Sequence, residues 1–317
     1  MGTRASLRAV PVEPDDVLAA VSQRTSRRHF GTGVLPMRYE DPIRVAEDAS
    51  TLDLLSGGRL ELRLSSGIPT PGILDPVFGS SPVGFSAESQ KRVLRLREAL
   101  AGAALVNSGE GFMSIPTHTD LRVSPPAPGL VDRLWYGAGT VSSAARTGAQ
   151  GFDLQVSTLN GEETGVSFEE RQLAQIRAYR EAFAARVGQA VGGRRAPRIT
   201  AGRIIVPLDN DADRAEHRAF IDGYRSVMPA DGRHHDPSEK LRFSRIFDGS
   251  PERITDDLLA DSALSEATQL MVTLPAEGSL ASHKRILQTI AERIAPHLGW
   301  AGATPAAAAA PDYGTAA

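Results

Sequence analysis

The sequence predicts an α/β protein with a parallel sheet, and three observations support this prediction. Short apolar segments with the alternation of β-strands recur along the chain, and longer segments with helical apolar periodicity separate them. Strands separated by helices pair in parallel, because each crossover helix returns the chain to the same end of the sheet. The 317 residues, of which 41% are hydrophobic, are enough to build a full core.

The composition excludes several classes of function. The 35 basic and 38 acidic residues leave a net charge of -3, which gives no electrostatic reason to bind nucleic acid or an anionic membrane. The chain has no cysteine, so disulfides, thiolate catalysis and cysteine-ligated metal sites are excluded. No apolar run reaches the roughly 20 residues that cross a bilayer. We therefore expect a cytoplasmic protein with no metal site and no nucleic-acid or membrane partner.

The alternating pattern gives a definite order of elements. Strands are predicted over residues 30–35, 60–65, 133–136, 152–157, 203–208 and 269–274. Helices are predicted over residues 15–22, from Pro42 to the Gly57-Gly58 pair, over 86–100, 140–149, 167–187 and 212–224, from Ser250 onward, and over 282–294. Residues 1–300 are expected to form one domain, with an excursion or lid over about 67–128 and a disordered tail over 301–317.

The clearest local motif joins the third predicted strand to a helix. The strand runs into a Gly137-x-Gly139 turn, and Thr140, Ser142 and Ser143 follow at the start of the helix. Unpaired backbone N–H groups and the helix dipole favour an anion there, and small residues let a phosphate approach the backbone. An ordinary strand–turn–helix with good capping explains the same residues, so both interpretations stay open at this point.

A second motif lies at the second predicted strand. The helix before it ends at Gly57-Gly58 and the strand starts at once, which places Ser65 and Gly67 just after its carboxyl end. Parallel sheets and barrels bind ligands at that end. A tight helix-to-strand turn with no ligand nearby is the alternative. No phosphate-binding loop, zinc-protease motif or nucleophile elbow is present, and no residue is identified as a catalytic acid or base.

Together these segments resemble the luciferase-like flavin-dependent monooxygenase family. The most recognisable stretch covers residues 44–47 and 51–60, and the likeness extends over roughly residues 14 to 300. Supporting segments are residues 24–27, 30–33, 132–139, 249–252 and 294–300.

The resemblance implies a TIM-barrel-like (β/α)8 fold that binds reduced FMN, or in some relatives coenzyme F420, at the carboxyl ends of the strands. Carried over to this chain, the flavin phosphate lies on the turn and helix start that contain Gly137, Gly139, Thr140, Ser142 and Ser143. Ser65 and Gly67 line the isoalloxazine, and Ser157 and Thr158 are further candidates. The implied reaction uses reduced FMN and O2 on a small organic substrate, with a flavin reductase as a partner and a homodimer as the assembly.

The chain departs from the family pattern in two places. Members begin with a strand, a helix and a second strand, and residues 1–14 are too short to supply these elements. We therefore expect an N-terminally truncated chain and an incomplete barrel of about six parallel strands, whose open edges favour a dimer. Arg63 stands where the family usually has a small residue; it obstructs flavin unless it points outward. The alternative functions are a non-catalytic truncated paralogue that binds a ligand or assembles with a partner, and F420-dependent hydride transfer.

Overall fold

The computed structural model describes residues 14–67, 71–111, 114–161, 165–187, 196–227 and 242–300. The chain divides into two compact units, and the described residues of each lie within Met1–Trp135 and Tyr136–Ala306. A single domain over residues 1–300 stays a prediction. The predicted tail over 301–317 lies outside the described residues. Within the described residues, no helix has both the length and the apolar composition that crossing a bilayer requires.

The first unit alternates helices with short strands. Its elements are α1 (Pro14–Arg24), β1 (Phe30–Gly31), β2 (Leu35–Pro36), α2 (Pro42–Ser56), β3 (Leu60–Ser65), α3 (Pro71–Phe78), α4 (Phe85–Leu100), β4 (Val106–Asn107) and β5 (Asp120–Leu121). The strand β6 (Leu134–Gly137) spans the boundary between the units. The predicted excursion thus contains two helices and an antiparallel pair, β4 with β5.

Local signals explain the boundaries of α2. The Asp41 carboxylate accepts hydrogen bonds from the backbone N–H groups of Ile43 and Arg44, at 2.9 and 3.0 Å. At the other end, Gly57 has a φ of 68°, a left-handed conformation that glycine adopts without strain. The predicted helix between Pro42 and Gly57 is confirmed.

The first predicted strand is interrupted in the structure. Phe30 pairs with Leu60 and Leu35 pairs with Leu64, both in parallel, so the first strand has one residue more than β3 over this stretch. Thr32 occupies the bulge, where its hydroxyl donates to the Arg63 carbonyl at 2.7 Å and accepts from the Arg63 N–H at 3.0 Å. The prediction of one continuous strand over 30–35 was wrong, because a threonine side chain replaces the backbone pairing there.

The second unit contains the larger part of the parallel sheet. Its elements are α5 (Val141–Gln150), β7 (Asp153–Val156), β8 (Leu159–Asn160), α6 (Phe168–Val187), β9 (Ile199–Pro207), α7 (Asp211–Val227), β10 (Arg242–Phe243), β11 (Ile246–Gly249), α8 (Pro251–Leu259), β12 (Gln269–Thr273) and α9 (Leu280–Thr289). β9 pairs in parallel with β7, β11 and β12.

The register of these pairings fixes an unusual strand order. Ile204 of β9 pairs with Ile246 of β11 and with Thr273 of β12, so these two strands lie on opposite sides of β9. Ala201 is likewise shared by β7 and β12. β7 and β11 therefore follow one another along the same side of β9, and β12 lies on the other side.

Helices consequently cover both faces of β9. Ile199, Ala201 and Ile205 share one face, on which α5, α6, α8 and α9 pack. Ile204 and Val206 share the opposite face, on which α7 packs. The chain moves across the sheet in one direction from β7 to β9, and in the opposite direction from β9 to β11. Because both connections are right-handed, this reversal places α7, the helix between β9 and β11, on the opposite face from α6.

The predicted parallel α/β class is confirmed, and the incompleteness of the barrel stays a prediction. Sequence reasoning missed β11, which offers only Ile246 and Phe247 as adjacent apolar residues before Asp248 and Gly249. The predicted strand over 203–208 begins four residues earlier, at Ile199.

Candidate cofactor site

The amino terminus of α5 has the capped geometry that the sequence predicts. The Thr140 hydroxyl accepts a hydrogen bond from the Ser143 N–H at 3.1 Å, and the Ser143 hydroxyl accepts one from the Thr140 N–H at 3.0 Å. This reciprocal pair is a capping box, and the helix starts at the next residue, Val141. Thr140 and Ser143 therefore have a structural role whether or not a ligand binds.

Ser142 differs from its two hydroxyl neighbours. Its side chain is exposed, and its Oγ lies 3.1 Å from Thr140 Oγ1. An anion at this helix end would thus meet the Ser142 hydroxyl together with the positive end of the helix dipole.

The turn before α5 packs closely against a second glycine. The Gly139 carbonyl accepts a hydrogen bond from the Gly161 N–H at 2.6 Å, and a Cβ on Gly161 would lie 3.2 Å from that carbonyl oxygen. Among the described residues, a Cβ on Gly139 would meet only the Gly161 nitrogen, at 3.8 Å. A side chain at Gly161 would therefore crowd the Gly139 carbonyl, a contact that sequence reasoning missed, whereas the described residues leave room for a Cβ at Gly139. Gly137 is the last residue of β6.

The residues after β7 are held by other parts of the second unit. The Ser157 carbonyl accepts a hydrogen bond from the Gln172 amide, and the Thr158 carbonyl accepts one from the Ser244 N–H at 2.8 Å. Just beyond, β8 pairs antiparallel with β10. Burial raises the pKa of Tyr224 to about 12, and its hydroxyl donates to the Ser244 carbonyl. The carbonyls of Ser157 and Thr158 are therefore engaged within the chain.

A buried ion pair supports this end of β7, and no sequence motif marks it. The Arg203 guanidinium binds both carboxylate oxygens of Asp261, at 2.7 and 3.0 Å, and both side chains are fully buried. Arg203 also donates to Gln172 at 2.7 Å, and Gln172 in turn donates to the Ser157 carbonyl. The network connects the loop after α8 to the carboxyl end of β7.

In the first unit, Ser65 and Gly67 form a tight turn after β3. The Ser65 hydroxyl accepts a hydrogen bond from the Gly67 N–H at 3.1 Å. Gly67 has a φ of 82°, and a Cβ there would lie 3.0 Å from the Pro36 side chain. Backbone conformation alone accounts for this glycine, so a role for either residue beside a flavin stays a prediction.

Arg63 packs on an aromatic ring. Its guanidinium carbon lies 4.7 Å from the centre of the Trp135 ring, and the Trp135 indole donates to Glu61 at 2.6 Å. Arg63 and Glu61 share one face of β3, and the buried Leu62 and Leu64 share the other.

The two segments that carry the resemblance are joined by a buried ion pair within the first unit. The Arg133 guanidinium binds both oxygens of the Asp53 carboxylate, at 2.6 and 2.8 Å, and also donates to the Leu60 carbonyl. The Asp53 side chain is only 1% exposed and that of Arg133 is 15% exposed. These recognisable positions therefore hold α2, the start of β3 and the start of β6 together.

Arg59, which follows the Gly57-Gly58 pair, also links separate segments of the first unit. Its guanidinium donates to the Ser22 carbonyl at 2.8 Å and to the Arg28 carbonyl at 2.9 Å. It also donates to the Thr25 hydroxyl and lies over the Phe30 ring. One side chain thus attaches the carboxyl end of α1 to the start of β3.

Comparison with known proteins identifies the family. The family model described as luciferase-like monooxygenase matches residues 4–285 of this chain. The chain therefore belongs to the luciferase-like monooxygenase family. A curated relative, limonene 1,2-monooxygenase from Rhodococcus erythropolis, is 26% identical over 151 residues, which are 43% of this chain and only 37% of that protein.

Solved structures confirm the fold. The oxygenating constituent of 3,6-diketocamphane monooxygenase from Pseudomonas putida, a structure in complex with FMN, has a TM-score of 0.63 at 13% identity. The alignment covers 90% of this chain and 83% of that one. The coenzyme F420-dependent tetrahydromethanopterin reductase from Methanopyrus kandleri has a TM-score of 0.60 at 16% identity, over 90% of this chain and 87% of that one. This chain spans little more than a third of the length of the curated relative that it matches.

Proposed function

We propose that this protein is a flavin-dependent monooxygenase that uses reduced FMN and O2 on a small organic substrate. The observation that carries the proposal is the amino terminus of α5, where an exposed hydroxyl and an uncrowded glycine lie together at the positive end of a helix. The fold shared with an FMN-bound monooxygenase supports it.

The residues present at this helix end fit the phosphate of FMN. α5 has ten residues, enough for its dipole and first-turn N–H groups to favour an anion. Ser142 offers a hydroxyl donor, and Gly139 lacks a side chain that would stand in the way. Thr140 and Ser143 hold this geometry through the capping box. Each charge-assisted hydrogen bond contributes roughly 1.5–3 kcal/mol, so two such contacts separate FMN clearly from riboflavin.

When bound, reduced FMN supplies the electrons that activate O2, so that one oxygen atom enters the substrate and the other leaves as water. The protein binds and orients the cofactor and excludes water around it. In this proposal Ser65 and Gly67 line the ring system, Gly137 ends the strand that leads to the phosphate, a flavin reductase supplies reduced FMN, and the assembly is a homodimer. The acid and base of the reaction stay unassigned.

Fluorescence titration with FMN and with riboflavin tests the phosphate site. We expect the unmodified protein to bind FMN at least about tenfold more tightly than riboflavin, because only FMN carries the phosphate. Ser142→Asp places a fixed negative charge at the site and should abolish this preference while leaving riboflavin affinity unchanged. Ser265→Asp, at another exposed serine of the second unit, is the matched control and should bind as the unmodified protein does. Equal binding of FMN and riboflavin by the unmodified protein would refute the assignment.

Hydride transfer with coenzyme F420 is a second candidate, because an F420-dependent reductase shares the fold with a similar TM-score. A parallel titration with F420 separates the two cofactors. If neither cofactor binds to the folded protein, the non-catalytic alternative replaces both.

A further inference from the structure

We propose that a cavity in the first unit binds an aromatic carboxylate. The cavity has a volume of about 470 Å³ and lies between the residues that precede α2, the end of α3 and one face of α4. This volume falls within the range of small-molecule sites in proteins. The chemistry of its walls favours a ligand with one negative group and one planar ring.

The first argument is the charge of the cavity. Four basic side chains line it, against the two carboxylates of Asp41 and Glu88. The Asp41 carboxylate caps α2, and Glu88 forms an ion pair at 3.0 Å with Arg92, which is itself one of the four basic side chains. The walls therefore carry two more basic groups than carboxylates. Beyond the walls, Asp75 lies 3.9 Å from Arg38 and Glu98 lies 3.8 Å from Arg95, which leaves Lys91 as the basic group without a carboxylate partner among the described residues.

The second argument is the placement of two cations on α4. Lys91 and Arg95 are one helical turn apart, so their side chains project from the same side of the helix and repel one another. Lys91 is exposed and has no ion-pair partner among the residues that the structure describes. The carboxylate paired with Arg95 is that of Glu98, at 3.8 Å. A ligand carboxylate between the two cations would relieve this repulsion and gain charge-assisted hydrogen bonds.

The third argument is the aromatic wall. The Tyr39 ring packs against Phe78 with centres 4.8 Å apart and against Phe85 at 6.1 Å. Arg38 is buried beside Tyr39, where it donates to the Gly79 carbonyl and so stays fixed. A planar ring finds a preorganised aromatic partner here, with little side-chain freedom to lose on binding.

The cavity is next to the turn that the proposed function places beside the flavin. A Cβ on Gly67 would lie 3.5 Å from the Tyr39 ring. A bound aromatic acid would thus lie near that turn, as a substrate or an effector of the enzyme would. Binding to the cavity does not depend on the flavin proposal, and the test below uses protein without flavin.

Calorimetric titration of the full chain with 2-naphthoate tests the proposal. The probe combines a carboxylate with a planar ring, and 2-naphthalenemethanol and acetate each lack one of the two. We expect 2-naphthoate to bind at least about tenfold more tightly than either, and to bind less tightly as salt is added. Equal affinity for 2-naphthoate and the neutral alcohol would overturn the proposal, as would the absence of binding at millimolar 2-naphthoate.

Variants on the helix identify the site. Lys91→Gln and Arg95→Gln should each weaken 2-naphthoate binding about threefold to tenfold, as expected for partly exposed charge contacts. Lys284→Gln removes an exposed lysine of α9 and is the matched control, with no change expected. Circular dichroism and thermal unfolding confirm that each variant is folded. Unchanged affinity in both α4 variants, or displacement of 2-naphthoate by FMN, would show that this cavity is not a separate acid site.

Discussion

Replacing Asp53 with asparagine tests whether residues 51–60, which carry the family resemblance, stabilise the first unit through the buried ion pair of Asp53 with Arg133. The substitution keeps the shape of the side chain and removes its charge, so Arg133 loses its buried counter-ion. Breaking a buried ion pair by changing one partner costs about 3–5 kcal/mol. Arg133 keeps its hydrogen bond to the Leu60 carbonyl and is 15% exposed, which places the expected loss near the lower limit, about 3 kcal/mol.

Urea denaturation followed by tryptophan fluorescence measures this loss in the first unit. Trp135 is fully buried there, and a Trp300→Phe background removes the other of the two tryptophans. With a denaturant slope of about 2 kcal/mol per M, a loss of about 3 kcal/mol lowers the unfolding midpoint by about 1.5 M.

Glu47→Gln provides the matched control on the same helix. Glu47 pairs with Arg44 at 3.0 Å, but both side chains are exposed, so the loss should be below about 0.5 kcal/mol. In the Asp53→Asn/Arg133→Gln double variant, the total loss should be smaller than the sum of the two single losses, because the second change removes the unpaired charge. A midpoint shift in Asp53→Asn as small as that of Glu47→Gln, or strict additivity, would refute the reasoning.

Two further predictions concern the second unit. Gly148→Ala should destabilise it by several kcal/mol in a denaturation experiment, because a Cβ there would lie 2.4 Å from the Tyr179 carbonyl oxygen of α6. Gly223→Ala, where no atom of the described residues lies within 4 Å of the added Cβ, should instead be stabilising by up to about 1 kcal/mol. Equal effects of the two substitutions would argue against close packing of α5 on α6. Burial raises the pKa of Tyr224 to about 12, whereas a tyrosine of the unfolded chain ionises near pH 10. Between these two pH values the native state keeps a proton that the unfolded chain releases. The contribution of Tyr224 to the free energy of unfolding is therefore complete below about pH 10 and is lost as the pH rises toward 12. Absorbance at 295 nm should show Tyr224 ionising about two pH units above an ordinary tyrosine, and Tyr224→Phe should remove that late signal. A titration that Tyr224→Phe leaves unchanged would contradict the burial.

Local chemistry made much of the fold predictable. Asp41 and the pair Thr140 with Ser143 satisfy N–H groups of their own helices, and Gly57 ends its helix through its own backbone conformation. Such interactions connect residues only a few positions apart, so their signature is visible in a short window of sequence. The strand–turn–helix of the candidate phosphate site was predictable for the same reason.

Features that depend on distant residues could not be predicted in this way. Arg203 and Asp261 are 58 positions apart, and nothing in either local segment indicates that the two side chains share a buried site. A Cβ on Gly161 would crowd the Gly139 carbonyl, which only the folded chain brings next to it. β11 forms because β9 offers it an edge, although its own segment contains few apolar residues.

The pairing of β9 with β7 and β11 on one side and with β12 on the other has a consequence for synthesis of the protein. β9 is complete once Pro207 has been made, but the strand that covers its second side, β12, starts only at Gln269. During synthesis of the intervening residues, one edge of a nine-residue buried strand has unpaired N–H and carbonyl groups, which is the kind of edge that recruits other chains. Pairing with β12 covers residues 200–204 of that edge, so we expect nascent chains that stall before β12 is made to aggregate more readily than the finished protein.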